Sequence, residues 1–411
     1  MKNIYVKSIE SINKKKLFLR KKYIDKIKQY SDSWNILILE WQRRVGKSYS
    51  LIWFLNFYNI DLKKVFYINK ELDINDELQN QKDLNDLFES IELEKNIEYI
   101  IIDEIQNIES WEKFILAKFS ERKYKIIITW SNSKLLSGEL STLLTWRYLS
   151  IEVFSFDFKE FLEFAKLEKN LESFKKYITF GWMPEVLLLQ SEELKRNYIK
   201  NTLNSIFFKD VVSRFTIRNT KLLEKVFQYL QTELWNIISI TNIWNYIKNV
   251  FKKEVSLTTI SNYLDYLVFP FLVYEVSRYD IKWKKILDYM SKYYFSDIWI
   301  RNSSWFNFVT DIWKILENLV YIKLISDWYN VSVWEFWWRE IDFIAEKDGE
   351  IIYVQVCYLL SSEEVINREF WNLLDIKDNY EKFVISMDES FWNTYKWIKN
   401  INILDFLIKN H

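Results

Sequence analysis

The run Glu40-Trp41-Gln42-Arg43-Arg44-Val45-Gly46-Lys47-Ser48 stands between an apolar stretch, Ile36–Leu39, and a helix-length segment. With glycine at position 41 its spacing would be G-x-x-x-x-G-K-S, in the strand–loop–helix setting that such a loop requires. The chemistry is phosphate binding. Successive backbone N–H groups and a helix N-terminus cradle a β-phosphate. Lys47 would bridge the β- and γ-phosphates, and the Ser48 hydroxyl would ligate Mg²⁺. Trp41, Gln42, Arg43, Arg44, Val45, Gly46, Lys47 and Ser48 are the expected nucleotide contacts. Further on, Ile100-Ile101-Ile102 ends in Asp103-Glu104. Asp103 would hold Mg²⁺ directly or through water, and Glu104 would orient or deprotonate an attacking water. Two carboxylates after an apolar run are common; one β-unit beyond a G-K-S loop they are specific.

Two more positions belong to this chemistry. The run Thr129-Trp130-Ser131-Asn132 follows another apolar stretch, where a polar residue senses a γ-phosphate; Asn132 or Ser131 is the candidate. Arg147, in T-W-R-Y, is a candidate arginine finger, in cis or across a subunit interface. A surface ion pair or an adenine-side contact is the alternative for it.

A tryptophan at 41 would obstruct the loop, because a bulky side chain restricts dihedrals and blocks close phosphate approach. The whole composition points the same way. The chain has 20 Trp and 4 Gly in 411 residues, whereas roughly 29 Gly would be ordinary. The tryptophans fall mostly at breaks between apolar runs, as in T-W-S, T-W-R and F-W-W-R-E. Most are expected to be glycines in the living protein, as when a UGA codon is read as glycine. Trp111, at the start of a helical pattern, is expected to be genuine. A chain truly rich in Trp, stacking indoles on sugars or bases, is the alternative.

Composition excludes much else. The one histidine is His411 and the one cysteine Cys357. Ser-His-Asp and Cys-His catalysis and most zinc sites are thereby removed, as are intramolecular disulfides, which suggests a reducing compartment. Lys+Arg and Asp+Glu balance at 57 each, so no global field draws in nucleic acid or anionic membrane. The first residues lack a signal-peptide pattern, and no run reaches about 18 apolar residues. A cytoplasmic protein without membrane contact is expected.

These residues need elements to position them. Residues 1–30 are basic and helical in pattern, with their lysines expected on a solvated face. From 31 to 155, the runs Ile36–Leu39, Val65–Ile68, Tyr99–Ile102, Ile126–Thr129 and Tyr148–Val153 alternate with helix-length segments. Their continuous apolar character predicts parallel strands buried on both faces of a doubly wound α/β domain. Residues 156–230 read as helical, interrupted by Gly181-Trp182-Met183-Pro184. Residues 231–300 read as helix, helix and hairpin, a winged-helix pattern with Ser256 as an N-cap. The second helix carries Asp265 and no Lys or Arg; Lys248, Lys252 and Lys253 precede it. An interdomain or oligomer contact is therefore favoured over the major groove. Residues 301–411 return to α/β, with a hairpin turn at Lys347-Asp348-Gly349.

Taken together, Q-R-R-V-G-K-S, I-I-I-D-E-I-Q, L-T-W-R-Y, F-S-F-D-F-K-E-F, G-W-M-P-E, E-N-L-V-Y and E-I-D-F-I-A resemble the prokaryotic AAA-type ATPases that join a P-loop domain to a C-terminal domain of unknown function. The resemblance covers nearly the whole length. Trp41, Trp130, Trp146, Trp182, Trp299, Trp313, Trp337 and Trp338 stand where the family's pattern has Gly. It implies ATP as ligand, Mg²⁺ as cofactor, and an ATPase serving as switch or motor on an unidentified DNA or protein target, with oligomerisation open. The alternatives are a nucleotide-regulated adaptor without significant turnover, or a nuclease. For the nuclease, the last domain is similar to the PD-(D/E)xK type, with Glu317, Asp342, Gln355 and Cys357 at its four positions. Gln355 lacks the carboxylate charge and Cys357 the lysine's cation, so a retained fold used for binding is expected there rather than cleavage.

Overall fold

The structure, a computed structural model, describes residues 2–13, 18–40, 44–73, 77–131, 144, 147–233, 236–252, 254–280, 285–303, 312–336, 339–388 and 394–409. The chain divides into two compact units, Met1–Phe154 and Ser155–His411.

In the first unit the five apolar runs become β1 (Ile36–Glu40), β2 (Val65–Asn69), β3 (Tyr99–Asp103), β4 (Lys125–Trp130) and β5 (Tyr148–Glu152), in one parallel sheet of order β2-β3-β4-β1-β5. Ile36, Ile38, Phe66, Ile68, Ile100, Ile102, Ile126 and Ile128 face one core. The alternate residues Leu37, Leu39, Tyr67, Ile101 and Ile127 are equally buried. Both faces are covered, which is why the runs are apolar throughout rather than alternating. Helices α1 (Lys2–Asn13), α2 (Lys21–Ser31), α3 (Lys47–Phe57), α4 (Gln81–Glu92) and α5 (Trp111–Ser120) accompany the strands. Asn80 and Asp83 close a capping box at the start of α4.

The second unit opens with helices α6 (Phe158–Ala165), α7 (Leu171–Phe180), α8 (Pro184–Leu187) and α9 (Glu192–Ile206). They continue through α10 (Thr220–Thr232), α11 (Ile240–Phe251) and α12 (Leu257–Val268), the last capped by Ser256 as expected. The break between α7 and α8 is a tight seat. Gly181 has φ +72°, and a Cβ there would lie 2.5 Å from Asp297 Oδ1 and 2.6 Å from Trp299 Cβ. A hairpin follows, β6 (Val273–Asp280) and β7 (Lys285–Phe295), then α13 (Ile298–Asn302) and α14 (Ile312–Ser326). Next come β8 (Asn330–Phe336), β9 (Arg339–Lys347), β10 (Glu350–Val356), α15 (Glu363–Leu374), β11 (Glu381–Ser386), β12 (Thr394–Tyr395), β13 (Ile398–Asn402) and α16 (Ile403–Ile408). The β9–β10 turn carries Asp348 at φ +52° and Gly349 at φ +84°, the paired left-handed conformations of a two-residue hairpin. All these strands form one sheet, β12-β13-β11-β10-β9-β8-β6-β7. The hairpin after α12 is thus the border of the C-terminal sheet, joined through Arg278 and Val333.

Several tryptophans sit badly. Trp34 and Trp328 adopt φ +60° and +68°. Trp328 follows α14 in a Schellman turn: its N–H donates to Ile325 O at 3.0 Å, and Tyr329 N–H donates to Leu324 O at 3.1 Å. That is the position where glycine is the usual residue. The indole N–H groups of Trp53, Trp182 and Trp299 are buried with no acceptor among the described residues, each costing about 1–3 kcal/mol. Among the described residues no helix is long and apolar enough to cross a membrane.

Candidate functional site: a phosphate loop above paired carboxylates

The loop leaves β1 after Glu40. Trp41, Gln42 and Arg43 lie outside the described residues. Arg44 is exposed at φ +67°, and Val45 is buried. Gly46 caps α3 from the left-handed region at φ +96°. Nothing lies within 4 Å of where its Cβ would stand, so the backbone rather than crowding demands glycine. Its carbonyl accepts from both Ser50 N (2.9 Å) and Ser50 Oγ (3.1 Å), which fixes the first turn of the helix. Lys47 is only 4 % exposed, with Nζ 3.9 Å from Glu104 Oε1.

Asp103 ends β3 in the sheet's interior, 1 % exposed. Its carboxylate accepts from the Ser48 hydroxyl, from Thr129 Oγ1 at 2.5 Å and from Tyr67 OH at 3.4 Å. Burial, then the neighbouring Glu104 charge, pushes its pKa up to about 6, against the hydrogen bonds from Ser48 and Thr129 and the charge of Lys47. Glu104 takes φ +58°, an uncommon conformation for a non-glycine residue. Its N–H donates to Thr129 Oγ1 at 2.8 Å, so one hydroxyl bridges the two acids. The Glu104 carboxylate accepts from Ser131 Oγ on one oxygen and Gln106 Nε2 on the other.

Lys47, Ser48, Asp103, Glu104 and Ser131 are therefore brought together at the C-terminal ends of β1, β3 and β4. Asn132 lies outside the described residues. Arg147 is not brought to the loop. It precedes β5, its carbonyl accepting from Ile36 N at 3.0 Å, at the strand starts. At about 3.3 Å per residue, that edge is about 13 Å from the end of β1. The Arg147 side chain is exposed, over the Phe119 ring at 5.9 Å. A finger acting in cis is thereby corrected: parallel strands put what precedes β5 on the side opposite the loop. Thr129, Gln106 and Tyr67 were missed from the sequence. Thr129, two residues before Ser131, and Gln106, at the end of I-I-I-D-E-I-Q, stood in quoted runs without being given a role.

The rear constellation also converges. Glu317 on α14 and Asp342 on β9 meet a cation absent from the expected set, with Gln355 on β10 hydrogen-bonded behind Asp342. Lys292 on β7, 2 % exposed, places Nζ 2.9 Å from Glu317 Oε1 and 3.8 Å from Asp342 Oδ1, and also pairs with Glu340. Burial alone would lower its pKa; the charges of Glu317, Asp342 and Glu340 raise it. Burial and Glu317 hold Asp342 well above the usual carboxylate range, against Lys292. Gln355 accepts from Asp342 N at 3.4 Å and donates to Glu369 at 3.0 Å. Cys357 is buried, and burial followed by the charge of Glu369 pushes its thiol up, away from nucleophilic use.

A parallel sheet in this order, a G-K-S loop after β1, an acidic pair ending β3 and a polar residue after β4 define an AAA-type P-loop domain. A family model described as an AAA domain matches residues 33–162, and one described as a domain of unknown function matches residues 171–305. An uncharacterized protein of Haemophilus influenzae is 32% identical over 411 residues, 96% of this chain and 100% of that one. The uncharacterized protein MJ1544 of Methanocaldococcus jannaschii is 33% identical over 371 residues, 85% of this chain and 81% of that one. The chain belongs to one family with these two proteins. Among solved structures it is similar to replication initiator DnaA bound to AMPPCP and single-stranded DNA, at 15% identity over 60% of this chain and 86% of that one, with a TM-score of 0.31.

Proposed function

We propose that the protein binds ATP and hydrolyses it with Mg²⁺, using the energy to switch or move an unidentified target. One observation carries this: the first turn after Gly46 places Ser48 beside the Asp103 carboxylate and buries Lys47 with its Nζ 3.9 Å from Glu104 Oε1. Loop and strand end thus meet through two hard oxygen donors, a fit for Mg²⁺ shared with substrate phosphates. Among the described residues there is no group of three or more His, Cys, Asp or Glu placed to hold a metal ion; a shared Mg²⁺ needs only one or two carboxylates. Ser48 and Asp103 would hold it, and it would neutralise phosphate charge. Lys47 and the amides of residues 46–48 bind the triphosphate, while Glu104 orients and deprotonates water. Ser131 and Gln106 hold the Glu104 carboxylate in place. The reading includes glycine at position 41, supported by the left-handed backbone of Trp34 and Trp328 and by the indole N–H groups of Trp53, Trp182 and Trp299, unsatisfied among the described residues. Across a subunit interface, Arg147 remains available to a neighbour's nucleotide.

Turnover of radiolabelled ATP tests this. Lys47→Ala is expected to abolish binding and turnover. Glu104→Gln should keep binding and lose about 10²–10⁴-fold in rate. Unchanged turnover in both variants excludes the assignment, and tight binding without turnover in the parent points to an adaptor.

A further inference from the structure

Arg20 belongs to the basic N-terminal stretch whose cations the sequence places in solvent, yet it is 5 % exposed. It stands at the N-cap of α2 without making a side-chain cap. Its Nη1 donates to Val45 O at 3.3 Å and to Phe154 O at 2.6 Å. The guanidinium lies over the Tyr23 ring, 4.4 Å from its centroid. The Tyr23 hydroxyl in turn accepts from Phe154 N at 3.1 Å. The start of α2 therefore grips one carbonyl of the phosphate loop and both backbone polar groups of Phe154, the last residue of the first unit.

The Val45 carbonyl and the Gly46 N–H belong to one planar peptide and point in opposite directions. Anchoring the carbonyl from behind aims that N–H into the loop, where a phosphate oxygen would take it. We propose that Arg20 is a positioning residue for nucleotide binding, and that the same grip couples occupancy of the loop to the backbone at Phe154. This rests on the reading of the loop as an ATP site. Because coupling is reciprocal, whatever loosens Phe154 loosens the nucleotide.

Binding of mant-ATP to the full-length chain and hydrogen exchange at the Phe154 amide test it, with Arg20→Ala, Arg20→Lys, Tyr23→Phe and Lys47→Ala compared. Arg20→Ala should weaken mant-ATP by about tenfold and raise KM more than it lowers kcat. Arg20→Lys, which keeps the charge but not the two-carbonyl reach, should fall between. Nucleotide should slow exchange at Phe154 in the parent, and this protection should vanish in Tyr23→Phe, which keeps the ring beneath Arg20. Parent-like affinity in both Arg20 variants, or exchange at Phe154 indifferent to nucleotide, overturns the proposal. If Arg20→Ala does not fold, Arg20→Lys and the exchange measurement decide it. Undiminished binding in Lys47→Ala would instead sink the ATP reading, whatever Arg20 does.

Discussion

Asp103 combines a pKa near 6 with a hydrogen bond to the Ser48 hydroxyl, and the pair makes the site pH-sensitive. The unfolded value for aspartate is about 3.9, so the native state holds the extra proton between the two values. This group's contribution to stability is therefore complete below about pH 4 and is lost as pH rises through about 6. Ligation of Mg²⁺ needs the deprotonated carboxylate. Titration calorimetry of Mg·ATP is expected to show proton release and weaker binding below about pH 6, with the Asp103 contribution gone in Asp103→Asn. Binding that keeps the same pH profile in Asp103→Asn would place the proton elsewhere. At this scale the sequence was legible where chemistry is written contiguously: Lys47, Ser48, Asp103 and Glu104 meet as their spacing implies. Gln106 and Tyr67 were illegible because nothing in their local pattern says where their polar ends point.

At the scale of elements, all five strands of the first sheet were readable from continuous apolar runs, since burial on both faces leaves no room for alternation. The cis reading of Arg147 put it at the wrong border although the information was present. It precedes a strand, whereas the phosphate loop follows one, and in a parallel sheet those are opposite borders. Turns were harder, because only 4 glycines mark them in the whole chain. The Schellman turn after α14 gives that point a measurable form. A left-handed residue other than glycine costs roughly 1–2 kcal/mol. Trp328→Gly is accordingly expected to raise stability by about 1 kcal/mol, read as a shift in the denaturation midpoint. A loss of that size would mean that Trp328 is supported by packing and is genuine.

For the molecule as a whole, Lys292 shows what spacing could not. Gln355 and Cys357 gave no lysine where the strand pattern wants one, and the cation arrives instead from the hairpin at the sheet's border. It ties that hairpin to α14 and β9 through buried charge. Removing one partner of such a cluster leaves carboxylates uncompensated, so Lys292→Ala should cost about 3–5 kcal/mol in denaturant unfolding. A loss below about 1 kcal/mol would show that the acids are neutralised without it. Neither end of the cluster announces the other in the chain, because side chains from β7, α14 and β9 meet only after the sheet closes.

The placement of Arg147 also bears on traffic around the first unit. No rotamer of that side chain spans the thickness of a five-stranded sheet measured along its strands, so its charge is offered to whatever approaches the back of the fold. On the proposed function, the first unit carries its phosphate loop on one border of the sheet and this exposed cation on the opposite one. That polarity is what the proposed role of Arg147 toward a neighbour's nucleotide requires.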